Sequence, residues 1–535
     1  GTEPGEIYKS TDGANSWFNV SLDDPLSGGV NSIKINSQNP DVVFAGSGGN
    51  LFRTIDGGLT WNVVLNSLGS VREINIIPTS PNIVFAATNN GLFRSDDSGD
   101  NWTQLFSETT HDVKFNSGND NIVYIVKNNP VEDVCEFYLS TDAGLSFTQI
   151  TNGWYSSTQA GRHDGGARIA VSDADPNRVY AYLIGEAKTG DTGFIGVYRS
   201  NDGGYTWSLP NGPAGGPYDA VHQNLAIGSP SWQYHQGFYN CALAASNSNP
   251  DEILVGGLNL YKSDDGGATF YPLAGYVGGS YSMHVDMQDF RTYGSTTFIT
   301  TDGGIYQSDD FFNTANFTSN MNGIHSSDYW GFGQGWNEDV TIGGLYHNGN
   351  MTSYENWATD DFLQLGGGEP ASGYVNPGLN RHVYSSDING RILPLNIGDP
   401  VQSIGFGIDP NESYWTVNST ELEFDPRCYK RLFTGLDNQL WYSDDAGVTF
   451  ELMHEFGSVA ADKVTYIELA WTDPNVIYVC QQFGSNDAIL WKTDDYGMSW
   501  VQASIPIVGN EKKMLIQVDP EDENHIWLAY ASGPN

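Results

Sequence analysis

Ser200-Asn-Asp202-Gly-Gly204-Tyr-Thr206-Trp207 is one instance of an eight-residue box, Ser/Thr-x-Asp-x-Gly-x-Ser/Thr-aromatic. Further copies start at Ser10, Thr54, Ser95, Ser140, Ser263, Ser443 and Thr493, with Ala14 in the glycine place of the first and Asn101 in the seventh place of the third. A degenerate copy starts at Ser308 with Asp310. Repetition on this scale organises the whole chain. The aspartate can accept hydrogen bonds from turn N–H groups, and the glycine accepts positive φ, so each box predicts a tight hairpin. A short strand precedes it, as in Leu51-Phe-Arg53 or Val197-Tyr-Arg199, and the closing aromatic opens the next strand. Upstream stands a Pro-Asn/Asp turn and a buried strand, as in Asn39-Pro-Asp-Val-Val-Phe44 and Asp473-Pro-Asn-Val-Ile-Tyr478. Four strands per unit is the content of one propeller blade.

Between 308 and 443 two units lack the box but keep the strand order. One runs Val340-Thr-Ile-Gly-Gly344 then Met351-Thr-Ser-Tyr354; the other runs His382-Val-Tyr-Ser-Ser386 then Arg391-Ile-Leu-Pro-Leu395. The landmarks make about eleven units spaced 41 to 63 residues apart. The expected fold is an all-β propeller of about eleven four-stranded blades across residues 1–535, as two rings in preference to one large ring. Residues 1–307 carry clear boxes, 308–442 degenerate ones, and 443–535 the C-terminal blades. His525–Tyr530 reads as a penultimate strand and Glu6–Lys9 as its successor, so either residues 1–17 complete the last blade or both ends are torn from a longer array.

Composition narrows the function. The 535 residues hold 23 Lys+Arg against 64 Asp+Glu, a net charge of −41. A phosphate backbone or an anionic membrane needs a basic face, so nucleic acid and direct membrane insertion are excluded as partners. No apolar run is long enough for a transmembrane helix. With 63 glycines and 13% aromatic residues the chain is a folded, turn-rich protein. The four cysteines have no CxxC spacing; they read as buried thiols, with a Cys428–Cys480 pair left open. The acidic surface suits an extracellular protein, and a chain opening inside a motif at Gly1 reads as a mature or trimmed form.

The box resembles the Asp-box, or bacterial neuraminidase repeat, over nearly the whole chain. That repeat occurs in sialidases, in two-propeller xyloglucan-type glycosidases and in sortilin-type receptors with one large ring. A closer resemblance is to large secreted bacterial repeat proteins of sortilin-like or glycosyl-hydrolase-like type. It is carried by Gln236-Gly-Phe-Tyr239 with Val255-Gly-Gly-Leu-Asn-Leu-Tyr261, by His284-Val-Asp286-Met-Gln288 with Thr301-Asp-Gly-Gly-Ile-Tyr306, and by Gly343-Gly-Leu-Tyr-His-Asn348-Gly349. In the last, Tyr346 and His347 replace the family's Gln and Asp, and Gly366-Gly-Gly-Glu369 stands where the family shows Gly-Gly-Asp-Gly. The resemblance implies a secreted or cell-surface propeller that binds a glycan or protein ligand without catalysis, within a larger surface or secretion assembly. The alternative it implies is a polysaccharide-active, xyloglucan-hydrolase-like enzyme, inverting if it is one.

Asp12, Asp56, Asp97, Asp142, Asp202, Asp265, Asp445 and Asp495 are box residues and are expected to be structural. A propeller's site lies on the face formed by loops and innermost strands. Six of the ten histidines fall within 163–347, where the longest loops, 152–168 and 211–240, also lie. The expected ligand residues are Trp154, Tyr155, Arg162 and His163 in the first loop, and Trp232, Tyr234 and His235 in the second. His284, Gln288, Tyr346 and His347 complete the set. His284, Asp286 and Gln288 alternate, which on a strand would give them one face. Asp164, Asp286 and Glu369 are the loose catalytic candidates, since an inverting glycosidase needs two carboxylates about 6.5–9.5 Å apart. Arg53, Arg94 and Arg199 occupy equivalent box positions, so they cannot converge into a sialidase triad. No metal ligand set is legible; Ca²⁺ is the one cofactor that the acidity suits, though no calcium loop appears.

Overall fold

The computed structural model describes the chain apart from 3–4, 22–25, 27, 130, 132–133, 156–163, 186–193, 212–223, 232–234, 325–328, 346–348, 359–360, 367–372, 386–388, 406–421, 483–487, 506–512 and 532–535. The described residues form antiparallel sheets and no helix: nine sheets of four strands, one of three, and two of two. In the three-stranded sheet, an isolated bridge between Arg199 and Ser208 stands in the fourth strand's place. The chain divides into two compact units, Gly1–Ser326 and Ser327–Asn535.

The box is the hairpin between third and fourth strands, and its geometry explains its residue types. Ser200, last residue of the strand Phe194–Ser200, donates from Oγ to Asp202 Oδ1 (2.8 Å) and accepts from Gly204 N (2.9 Å). Asp202 then accepts Thr206 N and Thr206 Oγ1 at 2.8 and 2.7 Å. The carboxylate thus ties the two ends of the turn. The fourth and fifth places are both left-handed, φ 74° at Gly203 and 93° at Gly204. The degenerate copy closes identically through Ser308, Asp310 and Thr314, with Phe311 and Phe312 at φ 57° and 56°. The two boxless units fold as sheets as well, with strands Val340–Leu345 and Gly349–Tyr354 in one and His382–Ser385 and Asn389–Ile392 in the other.

The core lies between neighbouring sheets and follows the two-residue period of the strands. In Asp175–Gly185, Val179, Ala181 and Leu183 pack back against Tyr124, Val126 and Phe137 of the preceding sheet. Tyr180, Tyr182 and Ile184 pack forward against Leu243, Ile253 and Val255 of the following one. Both faces are buried, so each such strand is apolar throughout; burying one leucine this way stabilises by about 1.5–3 kcal/mol.

Within Gly1–Ser326 the first and last sheets are brought together. Its innermost strands meet in the order Val30–Ile35, Val71–Ile76, Thr110–Asn116, Asp164–Ser172, Ala242–Ala245 and Met287–Tyr293. The short sheet Tyr8–Lys9/Phe18–Asn19 joins the last to the first. Trp17 donates from N to Asn322 O (2.9 Å) and from Nε1 to Asn320 O (3.0 Å), while Ile7 packs with Ala45, Phe52 and Trp61. Ser327–Asn535 holds five sheets, the last being Lys513–Asp519 with Asp522–Ala531. Among the described strands Tyr8–Lys9 pairs with Phe18–Asn19 only, and Asp522–Ala531 with Lys513–Asp519 only. The count of twelve sheets exceeds the eleven expected because Lys513–Ala531 forms a sheet of its own. All four cysteines are thiols: Cys428 is exposed and Cys480 buried, so the open pairing is not made.

Candidate functional site

Antiparallel order puts the boxes at one edge of each sheet. The segments before the innermost strand, and the turns between second and third strands, lie at the opposite edge. Within Gly1–Ser326 that edge brings together Tyr239, His284, Gln288 and Asp302. Asp302 sits in the turn between Thr296–Thr301 and Gly304–Ser308. Its Oδ1 accepts Gln288 Nε2 at 2.6 Å and the Tyr239 hydroxyl at 3.5 Å. Burial pushes the Asp302 carboxyl above its ordinary value; the bond from Gln288 and the nearby charge of His284 oppose the shift without cancelling it. Phe238 and Tyr239 stand beside this group with 65% and 43% of their surface exposed.

Local sequence explains the placement. Tyr239 N and Asn240 N both donate to Gln236 O (2.7 Å), a turn that lifts Phe238 and Tyr239 outward. Gly237 lies against Ile184, where a Cβ would come within 2.5 Å of the Ile184 side chain. His235 accepts Gly237 N on Nδ1 (3.2 Å), and burial lowers its pKa, so it is a neutral structural ring. Gly303 is required by His284: a Cβ at 303 would lie 2.4 Å from both Cβ and Cγ of His284. His284 is held by its own N donating to the Tyr306 hydroxyl (3.1 Å). Asn259 is fully buried and donates to Ile227 O and Gly228 O, so Val255-Gly-Gly-Leu-Asn pins the long loop at 227–228.

Several expected residues stand elsewhere. Trp154 is not a surface platform. It is 9% exposed, packs on Phe137 of one sheet and on Tyr198 and Trp207 of the next, and donates Nε1 to Cys135 O at 2.7 Å. Tyr155 packs beside it. His284 and Asp286 precede the strand Met287–Tyr293 instead of alternating within it; Asp286 is buried at φ 64°, so only Gln288 is a strand residue. Asp164 is the first residue of its strand. Arg162, His163, Trp232, Tyr234, Tyr346, His347 and Glu369 lie outside the described residues. Asp302, Phe238 and Tyr239 were missed as site residues, although the segments that carry them stand out as non-box motifs.

The eight box aspartates are bound by their own turns. Side-chain donation from Ser146 and Ser140 with Ser146 N holds Asp142 at about 2, and Ser499 and Thr493 do the same for Asp495. In Asp202, Asp265 and Asp445 burial opposes the shift, but the turn's hydrogen bonds outweigh it and the pKa is lowered. Among the described residues no group of three His, Cys, Asp or Glu side chains is placed to hold a metal. No described helix is long and apolar enough to cross a membrane.

No protein-family model matches the chain, and no curated protein matches it. Solved structures do. The chain is similar to a GH74 enzyme from Niastella koreensis at 16% identity, over 96% of this chain and 71% of that one, with a TM-score of 0.56. It is similar to an ancestral GH74 enzyme at 15% identity, over 94% and 74%, with a TM-score of 0.63. At these identities the likeness establishes the fold: the chain is an all-β protein of propeller architecture.

Proposed function

We propose that the protein is a secreted or cell-surface glycan-binding propeller whose ligand lies at the edge of Gly1–Ser326 that carries Tyr239, His284, Gln288 and Asp302. The observation that carries this reading is the pairing of two exposed aromatic rings, Phe238 and Tyr239, with the ordered Asp302–Gln288 hydrogen bond. Ring faces stack on the apolar faces of pyranoses, and a fixed polar pair orients hydroxyl groups. The experiment is a glycan array probed with the full chain, the Phe238→Ala/Tyr239→Ala variant and Asp302→Asn. Loss of the parent's glycan signal in folded variants is expected. A double variant that keeps every ligand of the parent would sink the proposal.

A second reading, a polysaccharide hydrolase of the two-propeller xyloglucan-active type, is favoured by one observation. Asp302 is a carboxyl whose pKa is raised by burial, the state a general acid needs. In that reading Asp302 protonates the leaving glycosidic oxygen, and an opposing carboxylate activates water. Reducing-end release from xyloglucan and from β-glucan, measured for parent and Asp302→Asn, separates the readings. Turnover by the parent and not by the variant makes the site catalytic; binding without turnover makes it a lectin-like surface.

A further inference from the structure

The axis of Gly1–Ser326 is lined by two tiers of charge set by a repeated bulge. Five innermost strands slip register near their start, between Val30 and Ser32, Val71 and Glu73, Thr110 and Asp112, Asp164 and Gly166, and Met287 and Asp289. The residue just past the bulge is Ser32, Glu73, Asp112, Gly166 or Asp289. Two positions on, on the same face of each strand, stand Lys34, Asn75, Lys114, Arg168 and Arg291. The sixth strand, Ala242–Ala245, adds only alanine and leucine side chains and no charge. Four cations therefore face three carboxylates.

Three of the cations are engaged. Arg291 forks onto Glu73 (2.9 and 2.8 Å) and donates Nε to Asp289 (2.6 Å). Lys114 Nζ lies 2.7 Å from Glu73 and 3.2 Å from Asp112. Arg168 donates to His111 O and Ala167 O, both at 3.1 Å. Lys34 makes no hydrogen bond or ion pair among the described residues, though it sits deep in the ring and keeps partial solvent contact. Glu73 and Asp289 act on Lys34 through space, but both are already bonded to Arg291, and neither touches the Lys34 ammonium. Burial raises the Asp112 carboxyl and pushes the Cys241 thiol to about 12, so the thiol adds no negative charge to the tiers.

We propose that this axis carries a binding site for a small oxyanion of the sulfate, phosphate or carboxylate class, with Lys34 as its direct ligand and Arg291 and Lys114 completing the field. An anion there neutralises a charge that otherwise sits unpaired in a low-dielectric ring. The chain's net charge of −41 does not forbid this. At physiological ionic strength fields decay within about 8 Å, so the outer carboxylates are screened from the axis. The site is separate from the aromatic edge and stands whether or not that edge binds glycan.

The test uses the full chain at constant ionic strength, with sodium sulfate replacing sodium chloride. The parent is expected to show a saturable rise in Tm at pH 7, and Lys34→Met to lose about tenfold or more in apparent affinity. Burial and the repulsion of Arg291 bring the Lys34 ammonium down to about 8. The parent's sulfate response should therefore fade by pH 9.5, whereas Lys34→Arg, still charged there, should retain it. That pair decides the matter even if Lys34→Met fails to fold. Competition of glucuronate against sulfate assigns the site to acidic sugars; a response to sulfate and phosphate alone assigns it to inorganic anions. No saturable response in the parent at pH 7, or an equal response in Lys34→Met, overturns the proposal.

Discussion

Arg291 and Glu73, 218 residues apart in sequence, form a two-pronged ion pair at the axis of Gly1–Ser326. Their strands, Met287–Tyr293 and Val71–Ile76, are not neighbours, so the pair crosses the ring and fixes the sixth full sheet relative to the second. Glu73 is almost wholly buried, and the charges of Arg291 and Lys114 overcome its desolvation to hold its pKa well below the usual range.

Arg291→Met should therefore destabilise the protein by about 2–4 kcal/mol, since it strips a buried carboxylate of its best partner while Lys114 keeps one bond. Adding Glu73→Gln should recover part of the loss. Chemical denaturation of the double-mutant cycle measures the coupling; strict additivity would mean the pair carries no ring closure.

The boxes predict an acid limit. Asp142 and Asp495, held at about 2, titrate near 3.9 when unfolded. The sign follows: a lowered native pKa gives stabilisation that is fully present above about pH 4 and is lost as pH falls towards 2. Acid unfolding followed by circular dichroism should steepen across that window, and Asp142→Asn should flatten its own share.

Ser200 tests the same turn from inside. Its hydroxyl is buried and accepts Gly204 N while donating to Asp202. Ser200→Ala leaves a buried N–H without its acceptor and should cost about 1–3 kcal/mol. A melting temperature equal to the parent's would show that the box is ornamental at this site.

Trp154→Ala should behave as a core deletion. The expected loss is about 3–5 kcal/mol, with glycan selectivity unchanged in whatever fraction folds. Differential scanning calorimetry beside the array separates this outcome from a ligand role.

Ser98 occupies a left-handed place, φ 60°, where other boxes use Gly57, Gly203 or Gly266. Ser98→Gly should raise stability by up to about 1 kcal/mol, because relief of the Cβ strain slightly exceeds the entropy that glycine adds to the unfolded chain. A fall in stability would mean that the strain is absorbed by the turn.

Much was legible before any tertiary contact was known. The Ser/Thr-x-Asp-x-Gly-x-Ser/Thr-aromatic pattern is a complete local instruction: donors, acceptors and left-handed places lie within eight residues, so every box folds as read, and even Ser308–Thr314 obeys it with phenylalanines at φ 57° and 56°. The apolar second strands and the boxless units at 340–354 and 382–392 were readable for the same reason, since strand period and turn chemistry are local.

Position around a ring is not local, and there the tertiary structure decided. Trp154 and Tyr239 look alike in sequence, each an aromatic in a long loop, yet Trp154 meets Phe137 and Trp207 and is buried while the Gln236 turn lifts Tyr239 into solvent. His284-Val-Asp286 looks like alternating strand, but Asp286 takes φ 64° to bring its backbone to Leu258. Asp302 becomes a candidate site only because Gln288 and Tyr239 arrive from two other segments. The charge tiers need the bulge in four separate strands to align Lys34 with Lys114, Arg168 and Arg291. The sequence by itself determined the box turns and the apolar strands beside them, because those energies act over a few residues. Which side chains face one another is fixed by closure, which brings residues hundreds apart to one axis through contacts that no local pattern encodes.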